Sequence, residues 1–135
     1  MASDRVRGNR SKKTVILDSN AIMMLFEFSI DLEDELTKLV GNYDILIPRP
    51  VYKELEFLSK NGKGKKRTNA KASLKLIEKY QIIEFDGKNA DDSIFSFAKK
   101  SNSLVLTNDR DLRCRLKKIG THVIFLRSKN KLMMD

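Results

Sequence analysis

Five short apolar runs punctuate this chain: Thr14–Asp18, Asp44–Pro48, Gln81–Phe85, Ser103–Thr107 and His122–Leu126. Each is too short for a helix and rich in Val, Ile and Leu, as a buried strand requires. Between them the apolar residues change to helical spacing. Ser19 and Asn20 can start a helix that runs to about Phe28. Asp31 can cap a second, with Leu32, Leu36, Leu39 and Val40 on one face and Gly41 as its stop. Pro50 suits the first turn of a third, which carries Val51, Leu55 and Leu58. Ala70, Leu74 and Ile77 mark a fourth, and Asp91, Ile94, Phe95 and Ala98 a fifth after Gly87. Arg110–Ile119 is a sixth, ended by Gly120. The stretch Asn61–Arg67, with two glycines among its bases, is expected to be irregular. Strands that alternate with helices throughout imply an α/β fold: a parallel sheet with helices on both faces.

The expected organisation is a basic arm at 1–13, a single folded domain at 14–126 and a tail at 127–135. At 135 residues, 41% hydrophobic and 33% charged, the composition is globular and not that of a disordered chain. The longest apolar run, Ala21–Phe26, is far short of the ~20 residues of a membrane span. Val15-Ile16-Leu17 is too short for the apolar core of a leader. The single cysteine, Cys114, has no internal partner, so a reducing cytoplasm is the expected compartment. With His122 it makes up the whole soft-ligand inventory, which leaves little room for zinc.

The formal net charge of +9 is concentrated in two places. Arg5, Arg7, Arg10, Lys12 and Lys13 lie in the arm against a single acid, Asp4. Lys60, Lys63, Lys65, Lys66 and Arg67 form a second basic segment with no acid. Together these segments carry the whole excess. A charge-balanced body with two basic segments points to a polyanion, with nucleic acid the first candidate.

The acids complement this pattern. Asp18 ends the first strand, and Glu54 lies in the first turns after the second. Asp91 opens the helix after the third, and Asp109 follows Thr107 at the end of the fourth. In a parallel sheet all four fall on the edge where such folds bind ligands. That edge carries no glycine-rich dinucleotide fingerprint, and the chain has no phosphate-binding P-loop. Converging carboxylates must either protonate or hold a cation. Hard oxygen ligands suit Mg²⁺ or Mn²⁺, which assist in-line displacement at phosphorus. Each acid alone has a plainer reading. Asp91 can be an N-cap worth ~1 kcal/mol, and Glu54 can complement a helix dipole. Asp18 is harder to dismiss, because acids are depleted in apolar strands. Glu27, Glu33, Asp34, Glu35, Glu56 and Glu78 are expected to be solvated surface. Met23 and Met24 are expected to fill the core, and Cys114 to be partly buried.

Four stretches carry a resemblance to the PIN domain, a metal-dependent nuclease family. They are Val15-Ile-Leu-Asp18-Ser-Asn20, Pro50-Val-Tyr-Lys-Glu54-Leu, Ala90-Asp91-Asp92-Ser-Ile94 and Leu106-Thr107-Asn108-Asp109-Arg-Asp111-Leu112. The resemblance implies a central parallel five-stranded sheet and a site of Asp18, Glu54, Asp91 and Asp109. Within it, Asp18, Asp91 and Asp109 would hold Mg²⁺ or Mn²⁺. Glu54 would be a ligand or would orient the attacking water. Ser19, Asn20 and Thr107 would be polar supports, and Asp111 an accessory acid. Asp91 is preferred to Asp92 because it stands three residues before the apolar Ile94. The Asn-Asp-Arg-Asp-Leu stretch and the basic insertion look more like the archaeal and ribosome-biogenesis branch than a typical VapC toxin. The implied activity is RNA cleavage, on a ribosomal precursor or, for a toxin, on messenger or transfer RNA. The implied partners are RNA, a second copy of the chain, and an antitoxin or a pre-ribosomal particle. A different reading is a PIN fold that grips RNA within an assembly and hydrolyses little of it. A flavodoxin-like or receiver-like domain would account for Asp18 but would leave the later acids without a role.

Overall fold

The computed structural model describes residues 12–84, 89–128 and 131–135. Arg5, Arg7 and Arg10, and the Phe85 end of the third expected strand, lie outside them. Among the described residues the strands are β1 (Lys13–Leu17), β2 (Tyr43–Pro48), β3 (Gln81–Ile83), β4 (Leu104–Leu106), β5 (Val123–Arg127) and β6 (Lys131–Met134). The helices are α1 (Ser19–Glu27), α2 (Leu32–Val40), α3 (Arg49–Asn61), α4 (Lys65–Ile77), α5 (Ala90–Ser101) and α6 (Arg110–Lys118).

The six strands form one sheet in the order β3-β2-β1-β4-β5-β6. The first five are mutually parallel, and β6 runs antiparallel to β5. Val15, Ile16 and Leu17 are all fully buried. Successive strand residues point to opposite faces, so this run requires cover on both sides of β1. None of the described helices is long and apolar enough to cross a membrane.

The five parallel strands are those expected, and a sixth, β6, forms in the stretch expected to be an uninformative tail. Leu132 is its buried anchor, set against Leu126 across the β5–β6 pair. The Leu132 N–H donates to Glu35 Oε1 at 3.1 Å. Glu35 is therefore not solvated surface: it caps the edge strand from α2, with its side chain only 14% exposed.

The expected irregular stretch Asn61–Arg67 is helical at both ends. Lysine and arginine are good helix formers, and only the glycines interrupt them. The break is confined to Gly62, Lys63 and Gly64. Gly64 has φ +59°, a conformation that glycine adopts without strain. A Cβ at Gly62 would meet the Leu58 carbonyl oxygen at 2.6 Å. Arg67 Nε then donates to the Ser59 carbonyl at 3.2 Å and ties the two helices across the turn. At the other basic segment, Lys13 opens β1 and Lys12 pairs with Asp44 at 3.1 Å. Cys114 is exposed, not partly buried as expected.

Candidate active site

The strand order reverses direction between β1 and β4. The chain builds β2 and β3 on one side of β1, then crosses to place β4 and β5 on the other. In open α/β sheets that crossing point is where ligands bind, beyond the strand carboxyl ends. Leu17 stands opposite Leu106 in the β1–β4 register. The next residues out, Asp18 and Thr107, therefore meet at the crevice. The Asp18 N–H still bonds the Leu106 carbonyl, at 3.1 Å.

Asp18 occupies the N-cap position of α1 but makes no side-chain cap bond. Its carboxylate turns to β4 instead. The Thr107 hydroxyl donates to Asp18 Oδ2 at 2.8 Å. The same hydroxyl oxygen accepts the Asp109 N–H at 3.1 Å. One fully buried threonine thus joins two acids that are distant in sequence. Asp109 in turn caps α6, its Oδ1 accepting the Leu112 N–H at 2.9 Å. It is both a helix cap and a member of the acid group.

Glu54 projects from α3 onto the same edge, where Ser19 Oγ donates to its Oε1 at 2.7 Å. Asp91 completes the set from α5. It is not the helix cap: Asn89 takes that place, its Oδ1 accepting the Asp92 N–H at 2.9 Å. The capping explanation therefore does not account for Asp91. Asp92 faces elsewhere and pairs with Arg115 at 3.3 Å. Asp111 is exposed in the first turn of α6.

Burial pushes the Asp18 carboxyl up to about 6. The Thr107 hydroxyl and the Ser19 amide pull it down, while Asp91 and Glu54 push it further up. Asp91 is also raised, first by burial and then by the charges of Asp109 and Glu54, against a lowering effect of Arg115. Asp18 thus feels the charges of Asp91 and Glu54, and Asp91 those of Asp109 and Glu54. Among the described residues no three His, Cys, Asp or Glu side chains are gathered as a ready metal cage. The donor chemistry nevertheless fits a hard cation. All donors are oxygens, and Mg²⁺ characteristically retains several waters and takes only one or two carboxylates from the protein. A cation among these groups would relieve the repulsion that adds to burial in raising Asp18 and Asp91.

Two clefts flank the acids. One, of about 510 Å³, is lined by Pro50, Lys53, Glu54, Asn89, Ala90 and Asp91. The other, of about 470 Å³, lies against Asp109 and is lined by Asn20, Met23, Met24, Lys65 and Lys66, among others. Of the bases expected to meet nucleic acid, Lys65 and Lys66 therefore border the site. Lys60 and Lys63 are exposed nearby in the chain, and Arg67 is engaged with Ser59. Sequence reasoning assigned Met24 to the core, yet it is only half-buried and lines the cleft. It passed over Asn69 and Asn108, which line the same cleft. Asn108 is held on both sides by Leu126, donating to its carbonyl at 3.2 Å and accepting its N–H at 2.7 Å.

A family profile described as a PIN like domain matches residues 15–129. Ribonuclease VapC9 from Archaeoglobus fulgidus is 29% identical over 135 residues, which span 100% of this chain and 98% of that protein. The structure of the PIN domain endonuclease Utp24 superposes with a TM-score of 0.74 at 26% identity, covering 90% of each chain. The structure of VapBC2 from Rickettsia felis bound to a DNA fragment from their promoter also superposes on this chain. There the TM-score is 0.59 at 23% identity, covering 83% of this chain and 98% of the other. This last likeness is one of fold.

Proposed function

This chain belongs to the PIN-like domain family, and we propose that it is a Mg²⁺- or Mn²⁺-dependent endoribonuclease. The observation that carries the reading is the Thr107 bridge, which ties the Asp18 carboxylate to the Asp109 backbone at the sheet's crossing point. The named relatives, a ribonuclease and an endonuclease, support the same reaction class.

Asp18 and Asp109 are the principal metal-holding residues and Asp91 completes the group. The chemistry supplied by the ion when bound is charge neutralisation at phosphoryl oxygens and acidification of water. Thr107 fixes Asp18 Oδ2 and the Asp109 backbone, so neither acid must reorganise when substrate arrives. Ser19 holds one oxygen of Glu54, which leaves the other to orient the attacking water and take its proton. Lys65 and Lys66 hold the RNA backbone beside Asp109. The leaving oxygen takes its proton from solvent through the open cleft.

Two physiological substrates fit: a ribosomal precursor, or messenger or transfer RNA for a toxin. Mapping RNA ends after expression distinguishes them, since a processing enzyme cuts a precursor at few positions. The activity itself is tested with a short single-stranded RNA and Mn²⁺. Cleavage should stop in EDTA and fall to background in Asp18→Asn and Asp109→Asn. Cleavage in excess EDTA, or undiminished cleavage by both variants, would refute the mechanism.

A further inference from the structure

The cleft against Asp109 does not end there. Glu27, Lys65 and Asn69 line it, and the same three residues line a second hollow with Phe26, Gly64 and Thr68. The two are continuous. Together they make a groove between α1 and α4 that runs from the acid group over Met23 and Met24 to Phe26. Its floor is apolar, and its α4 wall is basic.

Glu27 is the anomaly in this groove. It is the last residue of α1, where a negative charge opposes the helix dipole. It has no hydrogen bond and no ion pair among the described residues, although Lys65 lines the same two hollows. Neither helix stability nor local pairing explains an acid here. In a groove that follows a phosphodiester chain it would also repel the backbone. A carboxylate suits such a groove only if it meets something that donates protons.

An unpaired nucleobase meets that condition. Phe26 offers a ring on which a base can stack, Met23 and Met24 offer an apolar floor beside it, and Lys65 offers a partner for its phosphate. Guanine alone among the four bases presents two adjacent N–H donors on its Watson–Crick edge, at N1 and N2. Both oxygens of one carboxylate can accept them together. Building on the nuclease reading above, we infer that the α1–α4 groove holds an unpaired base next to the reacting phosphate, and that Glu27 selects guanine there. The substrate is then single-stranded at this position, because a paired guanine has already spent that edge.

The test is binding in EDTA, where cleavage does not intrude. Fluorescence anisotropy is measured with labelled single-stranded oligoadenylates that carry one central guanine, inosine or adenine. The guanine oligomer should bind about tenfold more tightly than the adenine one, as a bidentate base contact provides. Inosine, which lacks the N2 amine, should fall between them. Annealing the guanine oligomer to its complement should abolish the preference. Glu27→Gln should bring the three affinities together. Glu27 is exposed, and an unchanged thermal melt confirms that the variant folds. Equal affinity of the parent protein for all three oligomers would overturn the inference. So would a Glu27→Gln variant that binds all three more tightly by one common factor, since Glu27 would then only repel phosphate. Guanine-selective binding without Mn²⁺-dependent cleavage would keep the groove assignment and sink the nuclease reading alone. Absence of any RNA binding would sink both.

Discussion

Asp18 imposes a pH-dependent cost on the metal-free fold. Its carboxyl ordinarily titrates at 3.8, and in the folded chain burial, with Asp91 and Glu54, raises this to about 6. Raising a carboxyl means that the folded state holds its proton more tightly than the unfolded chain does. Stability is therefore greatest below about pH 4 as far as this group is concerned, and it declines as pH rises towards 6. Above that range the cost is complete. A shift of about two units corresponds to roughly 3 kcal/mol. The group is almost wholly buried, so solvent screening does not dilute it. Asn at this position removes the charge and keeps an oxygen to accept the Thr107 hydroxyl. Its new NH₂ needs a partner, which offsets about 1 kcal/mol or more. Asp18→Asn should then stabilise the metal-free protein by about 1–2 kcal/mol at pH 7.5, raising Tm by roughly 4–8 °C. Urea unfolding followed by circular dichroism, in EDTA from pH 3.5 to 8, measures the difference directly. The gain should shrink towards zero below pH 4. A variant less stable than the parent at pH 7.5, or an offset that ignores pH, would refute this electrostatic account.

Three further outcomes follow from the geometry of the site and of the turn beside it. Thr107→Val removes both bonds of the bridge while keeping the shape of the side chain. It should cost about 1–3 kcal/mol in unfolding experiments, because the Asp109 N–H loses its partner, and cleavage should fall with it. A Thr107→Ser variant that fails to recover most of this loss would show that the hydroxyl is not what matters. Replacing Lys65 and Lys66 with Gln should flatten the log–log salt dependence of single-stranded RNA binding by up to about 1.4, or about 0.7 for each phosphate that a lysine no longer neutralises. Adding Arg67→Gln should cost stability more than affinity, since that guanidinium holds the α3–α4 turn; an unchanged salt slope for the lysine pair would place both in plain solvent.

The five parallel strands were legible because each is a short apolar run bounded by polar residues, and the carboxyl-edge position of the acids followed from that order alone. Lys131–Met134 gave no such signal: four residues with a single buried Leu look like any tail until β5 provides a partner. Two glycines in a lysine-rich stretch suggested a long loop, but helix propensity lies in the lysines, and the break shrank to three residues. The different surroundings of Asp91 and Asp92 depend on Asn89, whose side chain takes the cap, and on Arg115, which pairs with Asp92. The spacing that favours Asp91 as the proposed ligand contains neither neighbour. The Thr107 bridge spans 89 residues and is a product of strand register, which no local pattern encodes. Glu27 did leave a sequence-level trace, as an acid in a helix's last turn, where bases belong.

The central place of β1 in the sheet also bears on translation. Asp18 is among the first residues of the folded region to leave the ribosome, but the strand that carries Thr107 must slot in beside β1 before the threonine can grip it. At about 5–20 residues per second, the two emerge on the order of ten seconds apart. During that interval β1 has β2 on one side and an open edge on the other. A nascent chain therefore carries Asp18 and none of the alignment that sets it among the other acids. On the proposed nuclease reading, the capacity to cut RNA would arrive only when most of the polypeptide has been made.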